Sequence, residues 1–246
     1  MTYEIIWQST IAGLATVLGT IIILITGRPE EKLLALLLGF AGGVMATVVV
    51  IDLLPSALVY GNVPVAALGF ICGLFLMLLL ELIIPLFPSL KNTQKTGQEG
   101  RFLKMGYLIA MGIALHDLPE GIAIAAGYAA QEKLGLIIAL AIGLHNIPEG
   151  MATAAPLTMG GMSRSKVILI CLLISLFTPV GALLGILLVS ISASFISLLL
   201  ALAGGAMAFI VKNELLPEAR RQHPYFAYCG LGLGVLLILA LSWIHH

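Results

Sequence analysis

Long apolar runs broken by short polar ones fill the chain. Eight of them reach the roughly 20 residues that a helix needs to cross a bilayer core, at about 4–26, 33–59, 63–87, 105–130, 134–158, 166–189, 194–218 and 225–244. GRPEEK, YGNVP, PSLKNTQKTGQEGR, QEK, GGMSRSK and RRQHP separate most of them, and the break at SISAS (190–194) is the least marked. Backbone polar groups have no water to bond in lipid, so the runs are read as helices. The pattern predicts an all-α integral membrane protein of eight transmembrane helices. It forms one domain over 1–246, with a connection at 88–104 longer than the rest.

Composition agrees. Of 246 residues, 60% are hydrophobic and 10% charged, against about 25% charged in soluble domains. The formal net charge is zero, so no basic surface suggests nucleic acid. Cys72, Cys171 and Cys229 stand alone in apolar runs, without the paired spacing of a disulfide framework or thiolate zinc site. The first run lacks a basic leader and small-residue cleavage site, so no removable signal peptide is expected.

Charge gives the runs a direction. The connections at 27–32, 88–104, 159–166 and 219–224 hold ten of the 12 Lys/Arg: Arg28, Lys32, Lys91, Lys95, Arg101, Lys104, Arg164, Lys166, Arg220 and Arg221. The opposite connections hold Lys133, and Lys212 lies inside a run. Positive residues stay cytoplasmic, which places 88–104 inside and both termini outside a plasma (inner) membrane.

The chain repeats itself. AGGVMATVVVIDLLPSA (41–57) matches AGGAMAFIVKNELLPEA (203–219) at ten of 17 positions. The copies fall in runs of opposite direction, as in inverted-repeat transporters. HDLPEG (116–121) and HNIPEG (145–150) form a second such pair, each starting eleven residues into its run, or roughly 16 Å deep at 1.5 Å per residue. Three helices, a central pair and three helices are expected.

The second pair carries the chemistry. Residues four apart share a helix face, so His116 points with Glu120 and His145 with Glu149, with Asp117 and Asn146 beside them. Two imidazoles and several carboxylates suit zinc, iron or manganese. Three acids at mid-bilayer (Asp117, Glu120 and Glu149) would cost on the order of 8–10 kcal/mol without compensation. Packing alone is a poor account of them, and a dication offsets the charge. Pro119 and Pro148 each withdraw a backbone donor, which predicts a kink. Gly121 and Gly150 allow close helix approach.

At these residues the chain resembles the ZIP (Zrt/Irt-like protein) family of divalent metal transporters, most closely its shorter bacterial branches. The resemblance covers nearly the whole chain: eight spans, HDLPEG, HNIPEG and the two LLPxA segments. It implies a 3+2+3 arrangement, with helices 1–3 and 6–8 as inverted repeats around helices 4 and 5. It also implies uptake toward the cytoplasm and, in many members, a homodimer. His116, Glu120, His145 and Glu149 would then hold the main metal, with Asp117, Asn146 and Glu149 at a second position. Many relatives carry a Glu before the Pro of an EPxGA segment in span 6. Here LFTPVGA puts Thr178 there, and a neutral hydroxyl cannot replace a bridging carboxylate, so one tight metal is expected and a weak or absent second. Relatives often have a His-rich 3–4 loop, whereas 88–104 contains no histidine.

Asp52 and Glu214 occupy equivalent repeat positions and are read as entrance and exit acids, with Asn213 and Thr178 on the same pathway. Glu81 and Lys212 are expected to snorkel, and Met45 and Met207 to pack. His223, His245 and His246 receive no role. The expected function is transmembrane movement of a divalent metal, zinc first, with Fe2+, Mn2+, Co2+ or Cd2+ as further cargoes and no resident cofactor. A metal-dependent intramembrane hydrolase is the alternative, but no HExxH is present and the mirrored motif halves suit alternating access better; a haem held by His116 and His145 is a third possibility.

Overall fold

A computed structural model describes residues 2–27, 29–83, 97–130, 132–188 and 193–245. Among them the chain is all-helical. Helices α1 (Thr2–Thr26), α2 (Glu31–Tyr60) and α3 (Val63–Ile83) come first. The long α4 (Gln98–Ala130) and α5 (Glu132–Met159) follow. Then come α6 (Arg164–Ser175 and Phe177–Leu188, joined at Leu176), α7 (Ala193–Gln222) and α8 (Pro224–His245). Seven are long and apolar enough to cross a membrane; α8 has a shorter apolar stretch, Pro224–Ala240.

Most boundaries fall within a few residues of the apolar pattern. The exception is α4, which starts at Gln98 rather than near 105. The apolar criterion registers only the lipid-embedded part of a helix. Here a polar first turn with Glu99 near the N-terminal dipole extends it, and Arg101 and Lys104 bind acids on other helices. The expected 88–104 connection is therefore helical from Gln98, and its residues 88–96 lie outside the described residues, as do 190–192 of the weakest expected break.

Packing places α4 at the centre: 72% of its most apolar window is buried, against 22% for α3. α4 lies against α5, α6 and α7, and α5 against α1 and α2. α2 packs on α8 and α7 on α3. The apolar core runs through α2, α4, α5 and α7, with Met45 and Met207 wholly buried in it, as packing residues should be.

α2 and α7 share an irregularity. Each widens into one π turn, Val49–Leu53 in α2 and Val211–Leu215 in α7, at matching positions of the two repeats. Pro55 and Pro217 follow. A proline cannot donate to the carbonyl four residues back, so the α ladder is interrupted just there, and a π turn absorbs the fault. Asp52 and Glu214 sit in these two turns.

Candidate metal centre

The two motif helices pack against each other. α4 runs unbroken through Pro119, and α5 through Pro148 and Pro156. The glycines that follow fit them against neighbours. A β-carbon on Gly121 would strike the Thr178 carbonyl oxygen of α6, and one on Gly150 the Thr16 carbonyl oxygen of α1. Each motif is thus clamped to a flanking helix, and its His and Glu turn toward the other motif.

His116, Asp117, Asn146 and Glu149 have no solvent exposure, and Glu120 and His145 very little. The His116 ring is anchored by Nδ1–H donating to the Gly112 carbonyl at 3.2 Å. Its Nε2 faces three carboxylates: Glu149 Oε2 at 3.2 Å, Asp117 Oδ1 at 3.5 Å and Glu120 Oε1 at 3.8 Å. His145 Nε2 lies 2.7 Å from Glu120 Oε1. Ligand atoms from His116, Asp117 and Glu120 fit within 4.8 Å of one another. Glu120 therefore faces the imidazole of the other motif, and Glu149 does the same in return.

Four carboxylate oxygens here, Asp117 Oδ1 and Oδ2, Glu120 Oε2 and Glu149 Oε1, accept no hydrogen bond. An unpartnered buried polar group costs about 1–3 kcal/mol, more if charged, so four amount to roughly 4–12 kcal/mol, comparable to the whole stability of a domain. Such a centre suits a cation that takes oxygen and imidazole ligands together.

The remaining expected site residues part company. Asn146 turns to α1, where its Nδ2–H donates to the Ala12 carbonyl at 3.0 Å. The Thr178 hydroxyl lies in the α1–α6 seam, 3.2 Å from where a β-carbon on Gly13 would be. Asp52 joins Glu120 and His145 on the wall of a cavity of about 410 Å³, which Tyr60 and Ser242 also line. Glu214 is half-buried and Asn213 and Lys212 exposed. Glu81 does not merely snorkel: it accepts from Lys104 Nζ at 2.9 Å.

Two residues were missed from sequence. Thr16, on α1, is wholly buried with an unpartnered hydroxyl, as is Thr178 on α6. The signal was the likeness of ATVLG (15–19) to FTPVG (177–181), too short to register alone. Glu218 is buried against Arg101 and Arg221 at 3.4 Å each, and Gln222 donates to it at 2.5 Å.

Apolar helices around a buried acid–imidazole cluster define a multi-pass membrane protein with a cation-suited centre. The family model described as ZIP Zinc transporter matches residues 88–242. The zinc transporter ZupT of Chlorobium chlorochromatii is 33% identical over 94% of this chain and 93% of that protein. ZupT of Corynebacterium glutamicum is 36% identical over 95% and 96%, and the zinc transporter ZTP29 of Arabidopsis thaliana 35% over 90% and 84%. The chain belongs to the ZIP zinc transporter family.

Proposed function

We propose that this protein carries a divalent transition metal, zinc foremost, across the membrane toward the cytoplasm by alternating access. Iron, manganese, cobalt and cadmium are further cargoes of the same ligand chemistry. The observation that carries this reading is the set of four donor-less carboxylate oxygens converging with two imidazoles. The zinc-transporter names of the relatives support transport over a hydrolase.

His116, Glu120, His145 and Glu149 hold the cargo, and Asp117 contributes negative charge beside it. The Nδ1–H bond of His116 to Gly112 fits this role, since it leaves Nε2 as the ligand atom and fixes the ring. Asn146 and Thr178 belong to a weaker second position that lacks a bridging acid. Asp52 attracts the cation at the cavity mouth, and Glu214, with Asn213, receives it at the far end.

Helices 1–3 and 6–8 form inverted repeats around α4 and α5. The contacts support this: exchanging α1 with α6, α2 with α7, α3 with α8 and α4 with α5 turns each strong pairing into another that is present. The Lys/Arg asymmetry supports an orientation with the termini, and with them the cavity, outside. Metal enters there, and rocking of the central helices against the repeats opens the other side.

Proteoliposomes loaded with a zinc-sensitive dye test the proposal. External zinc should raise the signal, and unlabelled internal zinc should drive counterflow of radioactive zinc. An enzyme that only hydrolyses a lipid would give neither.

A further inference from the structure

The repeats are not equal at their two mouths. Asp52, Ser56 and Tyr60 lie four residues apart on α2 and line the cavity. Their counterparts on α7, in the 41–57/203–219 register, are Glu214, Glu218 and Gln222. Ser242 of α8 lines the cavity too. Its counterpart is Glu81 of α3, because Gly69 and Gly73 meet the carbonyls of Leu198 and Leu202 as Gly230 and Gly234 meet those of Leu36 and Phe40. One mouth therefore presents one acid with hydroxyls; the other presents three acids and an amide.

The acidic mouth is fastened. Arg101 and Lys104, one turn apart on α4, reach two of its acids: Arg101 Nη2 lies 3.4 Å from Glu218 Oε1, and Lys104 Nζ 2.9 Å from Glu81 Oε1. Glu214 is within electrostatic reach of Glu81, Lys104 and Glu218. Behind the fastening the described residues pack more closely than their counterparts. Ala126 and Ile137 line the cavity and are partly exposed, whereas their counterparts Ala155 and Leu108 are wholly buried.

We propose that Arg101 and Lys104 are a two-point latch: tethered cations that hold the central helix against the acids of the exit and keep the site facing the opposite mouth. α4 also carries His116 and Glu120, so any movement that opens the acidic mouth must part these pairs. A departing dication competes for the same carboxylates, so cargo itself eases the release. This rests on the transport reading above. It assigns functions to Glu81 and Glu218 beyond packing and snorkelling.

The test uses thiol labelling in proteoliposomes without metal. Ala155→Cys is introduced where Cys72, Cys171 and Cys229 have been replaced by Ala, and its reaction with a small maleimide is timed. With the latch intact labelling is slow. Arg101→Gln with Lys104→Gln should speed it at least about threefold, the shift expected for losing weak, partly exposed ion pairs. Exchanging the pair, Arg101→Glu with Glu218→Arg, should restore slow labelling, which also separates a lost latch from a misfolded protein. Unchanged labelling in the neutralised variant, or fast labelling in the exchanged one, overturns the latch. Zinc uptake by the unmutated protein is measured separately, and its absence would sink the transport reading alone.

Discussion

Among the described residues Asp117 carries the largest local debt of hydrogen bonding, since neither of its oxygens has a donor and it is wholly buried. Three carboxylates around one imidazole nitrogen repel one another when no cation lies between them. Removing one charge should therefore stabilise the metal-free protein while weakening cargo binding, the usual opposition of stability and function. Asp117→Asn is expected to raise the unfolding temperature in chelator by a few degrees, for about 1 kcal/mol. It should also lower zinc affinity by roughly 10–100-fold. Differential scanning fluorimetry with and without zinc checks both. Glu149→Gln removes a carboxylate that faces His116 at 3.2 Å. It should abolish zinc uptake in proteoliposomes while the protein elutes as before on size exclusion. The motif made these residues legible, because H-x-x-x-E spacing alone puts both side chains on one face. The Asn146 bond to Ala12 was not legible, because nothing in HNIPEG says which neighbour α5 meets.

Helix identity was written in the apolar runs, but two finer features were not. The π turns at Val49–Leu53 and Val211–Leu215 change the residues per turn, yet in nearly uniform apolar sequence there is no polar stripe from which to read the change. Only the shared prolines and acids of the two repeats hinted at them. The early start of α4 depends on partners far along the chain, Glu218 for Arg101 above all. The glycine seams follow from sequence in kind but not in direction: Gly121 and Gly150 could have packed α4 on α5. Instead they seat α4 on α6 and α5 on α1. A β-carbon at either position would meet backbone, which cannot swing aside as a side chain can. Gly121→Ala and Gly150→Ala should each cost about 1–3 kcal/mol through forced helix separation. The measurement is thermal unfolding in detergent, where a change within error at both positions would contradict the tight seams.

For the molecule as a whole, the repeat predicts two equivalent half-channels, and the structure departs from that symmetry. One half holds a cavity of about 410 Å³ reaching Glu120 and His145; in the other half the counterparts Ala155, Leu108 and Ile113 are wholly buried. The two halves differ in sequence as well, with Asp52, Ser56 and Tyr60 against Glu214, Glu218 and Gln222, and the asymmetry is what the proposed carrier would present when it faces one mouth. The sequence shows the unequal residues of the two mouths but not which mouth is open. Ala126 and its counterpart Ala155 give the sharpest comparison, since both are small and change little on becoming cysteine. Ala126→Cys should react readily with a membrane-impermeant thiol reagent added on the side of the termini, and Ala155→Cys should resist the reagent from that side. Glu120 and His145, the proposed zinc ligands, line the same cavity, so saturating zinc should slow the reaction of Ala126→Cys severalfold. Reaction of Ala126→Cys only from the side of the Lys/Arg-rich connections would invert the assigned orientation, and equal reaction of both cysteines from one side would point to a continuous pore rather than a carrier.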